Sequence, residues 1–157
     1  AIITQTADGE EKELFDQAGV VAEDFMAGWI YVLKSKSDLP QIRDIPDLYK
    51  IGFTKNPISE RIRNASNDPS FLFSEVEVVA TYKCYSLNIR AFENLLHRFF
   101  SELCLDIDLF DREGVRYSPR EWFLVPFPII DEAIDLVEKN SIFQYFYDQK
   151  QMRIVLK

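Results

Sequence analysis

Residues 28–63, GWIYVLKSKSDLPQIRDIPDLYKIGFTKNPISERIR, decide the fold of this chain. They contain two short apolar runs, at 28–34 and 47–54, with Tyr31 and Tyr49 at their centres. β-Branched and aromatic residues dominate both runs, and a polar stretch with two prolines separates them, so the pattern predicts two neighbouring antiparallel strands. Pro57 stands where a first helical residue belongs, which predicts a short helix over 57–65.

The rest of the chain adds a third strand to the sheet, one further strand and two amphipathic helices. Residues 76–82 and 121–126 read as strands, and 129–139 as a helix. The clearest helical periodicity lies in 87–103, where six apolar residues share one face: Phe92, Leu95, Leu96, Phe99, Phe100 and Leu103. These elements predict an α+β fold, a small three-stranded antiparallel sheet flanked by helices.

A chain of 157 residues fits one domain with short additions. We expect an acidic leader or linker helix over 1–26, a domain over 27–139, and a C-terminal extension over 140–157 packed on that domain. No apolar run reaches the length of a membrane span, so we expect a cytoplasmic protein without membrane contact. The start without Met leaves open a fused or associated larger protein.

The charge is unevenly distributed along the chain. The net charge is −8, which argues against a nucleic-acid partner, but residues 28–63 carry seven bases and four acids and are net +3. A local basic patch of this kind can hold a phosphate backbone. The predicted DNA contacts are therefore Lys34, Lys36, Lys50, Lys55 and Arg63. Two cysteines and one histidine exclude a disulfide framework and a cysteine-rich zinc site.

Four motifs occur in a fixed order: Trp29-Ile30-Tyr31, then Tyr49-Lys50-Ile51-Gly52 with Arg61 nine residues after its glycine, then Glu93 on the periodic helix, and Arg120-Glu121-Trp122-Phe123. This ordered set resembles the GIY-YIG nuclease superfamily, in particular its bacterial and phage branch of stand-alone or C-terminally fused domains. The resemblance implies a GIY-YIG-like fold and a metal-dependent DNA endonuclease.

The resemblance also implies the roles of individual residues. Glu93 binds one divalent cation, Mg²⁺ or Mn²⁺, and Arg61 contacts the scissile phosphate. Tyr31 or Tyr49 takes a proton from water, for which the pKa of about 10 of a free tyrosine must be lowered. His97, one turn after Glu93, is a candidate proton donor or phosphate contact. A nuclease of this type requires Tyr31, Tyr49, Arg61 and Glu93 to surround one cleft.

The same residues also allow interpretations without a catalytic role. The same fold can serve as a non-catalytic DNA- or protein-binding module, which Phe53 favours, because some superfamily members carry a lysine there. The lack of a clear terminal asparagine points the same way. Gly52 indicates either a close approach of backbone or substrate, or a bulge. His97 can also be a structural histidine, and Glu121 a residue at the end of a strand.

Overall fold

The computed structural model describes residues 3–7, 10–12, 28–85 and 88–157. Its strands are β1 (Ile3–Ala7), β2 (Glu10–Lys12), β3 (Gly28–Ser35), β4 (Leu48–Thr54), β5 (Val76–Cys84), β6 (Leu109–Phe110), β7 (Arg116–Tyr117), β8 (Trp122–Leu124), β9 (Tyr145–Asp148) and β10 (Arg153–Leu156). Its helices are α1 (Pro40–Arg43), α2 (Ile58–Arg61), α3 (Ile89–Phe99) and α4 (Phe127–Glu138).

The main sheet runs in the order β2-β1-β5-β3-β4-β8, and each neighbouring pair is antiparallel. The α+β class is therefore confirmed. The predicted core of three strands, β5-β3-β4, lies at its centre, but the sheet is larger than predicted. β8 adds to the free edge of β4, and β1 adds to the free edge of β5. Unpaired strand edges favour such additions, because they present rows of unsatisfied backbone groups.

The prediction of an acidic N-terminal helix over 1–26 is wrong for the part of that segment that the structure describes. Residues 10–12 form β2, which pairs with β1 in the register Gln5↔Lys12 and Ala7↔Glu10. Backbone pairing to an available strand edge outweighs the weak helical preference of a short acidic run. The remainder of the predicted leader helix, residues 13–26, lies outside the described residues.

The two faces of the sheet bury two separate apolar clusters. Ile30 and Val32 of β3 face α3 and α4, whereas Tyr31 and Leu33 face the loops that carry α1, α2 and the β6–β7 hairpin. This alternation follows from the two-residue period of a strand. A candidate site built on β3 and β4 therefore depends on which residues fall on which face.

The C-terminal segment forms its own two-stranded sheet from β9 and β10. Tyr147 of β9 meets Phe100 edge-on, with ring centroids 5.8 Å apart. The hairpin thus covers one end of the cluster beneath α3. Within the described ranges, no helix combines the length and apolar character needed to cross a membrane.

Candidate functional site

The site lies at the edge of β4 that β8 leaves open. β8 pairs only with Leu48, Tyr49 and Lys50, so the last residues of β4 have no strand partner on that side. Side chains of α3 bind this edge instead. Nε2 of His97 lies 2.7 Å from the carbonyl oxygen of Ile51, and the backbone N–H of Phe53 donates to Glu93.

Three potential metal-binding side chains converge at this edge: Glu93, His97 and Glu121. Their ligand atoms all lie within 4.8 Å of one another. Glu93 is only 6% exposed. Burial, and then the nearby charge of Glu121, raises the pKa of Glu93 to about 7. Two carboxylates this close repel each other until a proton or a cation reduces their charge, so the cluster favours cation binding.

The hydrogen bond of His97 fixes which ring nitrogen can bind a metal. A carbonyl oxygen only accepts, so Nε2 of His97 carries the proton in the bond to Ile51. In the neutral ring, Nδ1 then keeps its lone pair. Metal-binding histidines commonly donate their second N–H to a backbone carbonyl in this way. The ring also packs on Phe123, with centroids 5.3 Å apart, which limits its rotation.

Gly52 is explained by the ring of Tyr31. The two residues are directly opposite in the β3–β4 pair, and a Cβ on Gly52 would overlap the phenol of Tyr31. A close approach does occur, but by the side chain of Tyr31 rather than by backbone or substrate, and the β3–β4 register has no bulge at Gly52. With no side chain at Gly52, the ring of Tyr31 crosses β4, and its hydroxyl comes under the charges of Glu93 and Glu121.

The environment of Tyr31 does not lower its pKa. Burial raises that pKa, although a hydrogen bond and the positive charge of Arg61 oppose the rise. Since Arg61 donates to the phenol oxygen, the hydroxyl proton remains available for another acceptor. Tyr31 is therefore suited to donate a hydrogen bond, and the expectation that it removes a proton from water is not supported by its surroundings.

Tyr49 does not join the cluster, which corrects the prediction of four side chains around one cleft. It lies on the α3–α4 side of the sheet, half-buried, with its ring centroid 6.3 Å from that of Phe127. Burial, followed by the charge of Asp47, raises the pKa of Tyr49 as well. Because Tyr49 and Lys50 are adjacent in a strand, only Lys50 shares a face with Gly52 and Tyr31.

Lys50 is the residue of this motif that reaches the site. Its side chain is 0% exposed, and Nζ donates to Glu121 Oε2 at 2.6 Å and to the Ser70 carbonyl at 3.0 Å. Burial lowers the pKa of Lys50, and the carboxylate of Glu121 opposes that effect. The prediction that Lys50 contacts DNA at the surface is wrong, because its ammonium group is enclosed. The other predicted DNA contacts, Lys34, Lys36, Lys55 and Arg63, are exposed.

Arg61 is held at the site by a turn that follows α2. Its guanidinium lies over the ring of Phe71, 4.7 Å from the centroid, and 3.6 Å from Asp68. Lys50 lies over the same ring at 4.9 Å. Asp68 also accepts from the N–H of Ser70 at 2.8 Å, which closes the turn. Arg61 rather than Arg63 is therefore the arginine that faces the cluster.

Glu121 is the residue whose importance the sequence underestimated. It lies 71 positions after Lys50, and no local pattern links the two. The pairing of β8 with β4 brings them together: the backbone N–H of Ile51 donates to the Glu121 carbonyl at 2.9 Å. A separate cavity of about 740 Å³ lies between residues 39–41 and the β6–β7 hairpin, and none of the three clustered side chains lines it.

Comparison with known proteins adds a family. The model of the T5orf172 domain family matches residues 28–139. The chain is 41% identical over 113 residues to YeeC, an uncharacterized protein of Bacillus subtilis (strain 168). That match covers 72% of this chain and 30% of YeeC, so the chain spans less than a third of its relative. No solved structure matches the chain.

The matching family overturns the resemblance drawn from the motifs. The T5orf172 domain is a different family from the GIY-YIG superfamily, and the assignment to the latter is wrong. The coarser expectation survives, since the T5orf172 domain is of the nuclease-like, DNA-binding kind.

Proposed function

The chain belongs to the T5orf172 domain family, and from this premise we propose that it is a metal-dependent nuclease domain that hydrolyses phosphodiester bonds in DNA. One observation carries the proposal. A buried carboxylate, a histidine with one free ring nitrogen, and a second carboxylate converge beside a tyrosine hydroxyl and an arginine. Phosphodiester hydrolysis requires groups of these kinds around one phosphorus atom.

Glu93 and His97 are the residues that would hold the cation. Glu93 has no ammonium or guanidinium hydrogen-bonded to it among the described residues, and its pKa is raised to about 7. Glu121, in contrast, is already paired with Lys50 at 2.6 Å. Mg²⁺ or Mn²⁺ fits this set, because such ions need only one or two protein carboxylates. A cation bound there would neutralise charge on the phosphate and lower the pKa of water.

The remaining residues bind the substrate and handle protons. Arg61 is a permanent cation that would contact the non-bridging oxygens of the phosphate. The hydroxyl of Tyr31 would donate a hydrogen bond to the phosphate or to the attacking water. Glu121 has 35% of its side chain exposed and would accept the proton of that water. Lys50 would keep Glu121 in place.

The proposal is tested by nicking of supercoiled plasmid at low salt with Mg²⁺, with Mn²⁺ and with EDTA. Wild-type protein should nick only with a divalent metal, and Glu93→Gln should lose about 100-fold or more of the rate. Glu132→Gln is the matched control, because Glu132 is exposed on α4 and does not belong to the cluster. Equal nicking by wild type and Glu93→Gln would refute the proposed metal site.

A different result would support the binding module. Binding of DNA without hydrolysis in any divalent metal, unchanged in Glu93→Gln, would show that the domain recognises DNA and does not cut it.

A further inference from the structure

A cleft of about 310 Å³ opens directly beside the cluster. One wall comes from Arg61 and the turn at Ser70, and the other from residues 117–121, which lead into β8. Glu121 belongs both to this cleft and to the cluster of potential metal ligands. A nucleic-acid strand that presents a phosphodiester to the cluster can therefore extend into the cleft.

Two guanidinium groups line the cleft, those of Arg61 and Arg120. Arg120 is exposed, and in the part of the chain that the structure describes it makes no ion pair with a carboxylate. The chain as a whole carries a net charge of −8. An arginine without an ion-pair partner among the described residues is available to bind an anion.

The rest of the lining is suited to the sugar or base of a nucleotide. Tyr117 and Pro119 supply apolar surface. Tyr117 is fixed by an edge-on contact with Phe73, at 5.8 Å between centroids, and by a hydrogen bond of 3.2 Å from its hydroxyl to Asp111. Aromatic surface beside a cation is the usual combination at sites that bind single-stranded nucleic acid.

We infer that this cleft binds the nucleotide next to the scissile phosphodiester, with Arg120 contacting the phosphate of that nucleotide. The inference rests on the proposed nuclease function and names its substrate class. A cleft of this volume is at the small end of ligand sites and accommodates one nucleotide of one strand. Its aromatic and cationic lining favours single-stranded, or locally unpaired, DNA as the substrate.

The test measures binding of a short fluorescent single-stranded DNA in EDTA, where no hydrolysis occurs. Arg120→Ala should weaken binding about 5- to 10-fold, and its log–log salt slope should be shallower by about 0.7, the value for one lost contact to a single strand. Arg120→Lys should recover part of the affinity. Arg153→Ala is the control, because Arg153 is exposed on β10 and does not line the cleft.

Several outcomes would overturn the inference. If Arg120→Ala kept the affinity and the salt slope of wild type, Arg120 would not contact the DNA. If wild-type protein bound no single-stranded DNA, the subsite would be refuted. Equal or tighter binding of the matching duplex would overturn the single-strand preference. Thermal melting of each variant shows whether it is folded.

The binding measurement in EDTA, combined with a hydrolysis assay in Mg²⁺ or Mn²⁺, separates this inference from the nuclease proposal. Binding in EDTA that depends on Arg120, together with no hydrolysis in Mg²⁺ or Mn²⁺, would support the subsite and refute the nuclease. Hydrolysis with KM and affinity unchanged in Arg120→Ala would support the nuclease and refute the subsite.

Discussion

The two faces of β4 differ in what they bury. On one face, Tyr49, Ile51 and Phe53 pack against apolar residues of α3 and α4. On the other, Lys50 is enclosed with its charge, and Gly52 makes room for the ring of Tyr31. Burying an ammonium group is costly unless it is paired and hydrogen-bonded. The contrast indicates that the first face serves stability and the second serves the site.

The strongest test of this contrast distinguishes the roles of the two acidic residues of the cluster, Glu93 and Glu121. We expect Glu121→Gln to lower the rate of DNA hydrolysis about 1000-fold, because it removes the group that accepts a proton. Its affinity for Mn²⁺ should stay within about 3-fold of wild type, since Lys50 already compensates Glu121. Calorimetric titration with Mn²⁺ beside single-turnover kinetics measures both quantities. If Glu121→Gln lost affinity for Mn²⁺ as well as hydrolysis rate, Glu121 would be a metal ligand instead.

The adjacent residues Tyr49 and Lys50 offer a matched pair. Lys50→Met should lower the hydrolysis rate about 10- to 100-fold, because Glu121 loses the partner that orients it. Tyr49→Phe should leave the rate within about 2-fold, since its hydroxyl lies outside the cluster. Single-turnover rates with the same DNA provide the comparison. A larger loss in Tyr49→Phe than in Lys50→Met would reverse the assignment of the two faces.

A substitution at Gly52 tests whether the ring of Tyr31 crosses β4. Gly52→Ala places a methyl group against the phenol, and we expect it to destabilise the fold by about 1–3 kcal/mol. In Tyr31→Leu the same substitution should cost less, because the ring is absent. Urea denaturation of the four proteins of this double-mutant cycle gives the coupling energy. Additive effects would mean that the two residues do not meet.

The pKa of Glu93 predicts how stability depends on pH. In EDTA the folded protein holds the proton of Glu93 up to about pH 7, whereas an unfolded chain loses it near pH 4.5. The contribution of Glu93 to the free energy of unfolding therefore falls as the pH rises between these values. Relative to wild type, Glu93→Gln should gain roughly 3 kcal/mol between pH 4.5 and pH 8, at about 1.4 kcal/mol per pKa unit. A difference that is constant with pH would contradict the raised pKa.

Much of the fold could be predicted from the sequence, because it depends on local patterns. The strands around Tyr31, the stripe of α3 and the class of the fold follow from two- and 3.6-residue periods. The strand over 121–126 was predicted and corresponds to β8, but its place in the sheet was not, since β8 is three residues long and its pairing depends on the free edge of β4. The prediction for residues 10–12 failed for a related reason, because these residues pair with the neighbouring β1, and β1 is itself placed by pairing with the distant β5.

The site was predicted only in part. Arg61, Glu93 and His97 were identified, and the structure brings them near Tyr31 or into the cluster. Tyr49 was preferred to Lys50 because its residue type matched a motif, although strand alternation relative to Gly52 favoured Lys50. Glu121 meets the cluster through tertiary pairing that a single sequence does not encode locally.

The central claim is that a divalent cation binds at the open edge of β4. Anomalous diffraction from a crystal soaked in Mn²⁺ tests it most directly. We predict one strong peak within bonding distance of a Glu93 carboxylate oxygen and of Nδ1 of His97, absent in Glu93→Gln. A soaked crystal with no peak there, or with its strongest peak at the acidic loop around Asp106 and Asp108, would contradict the account.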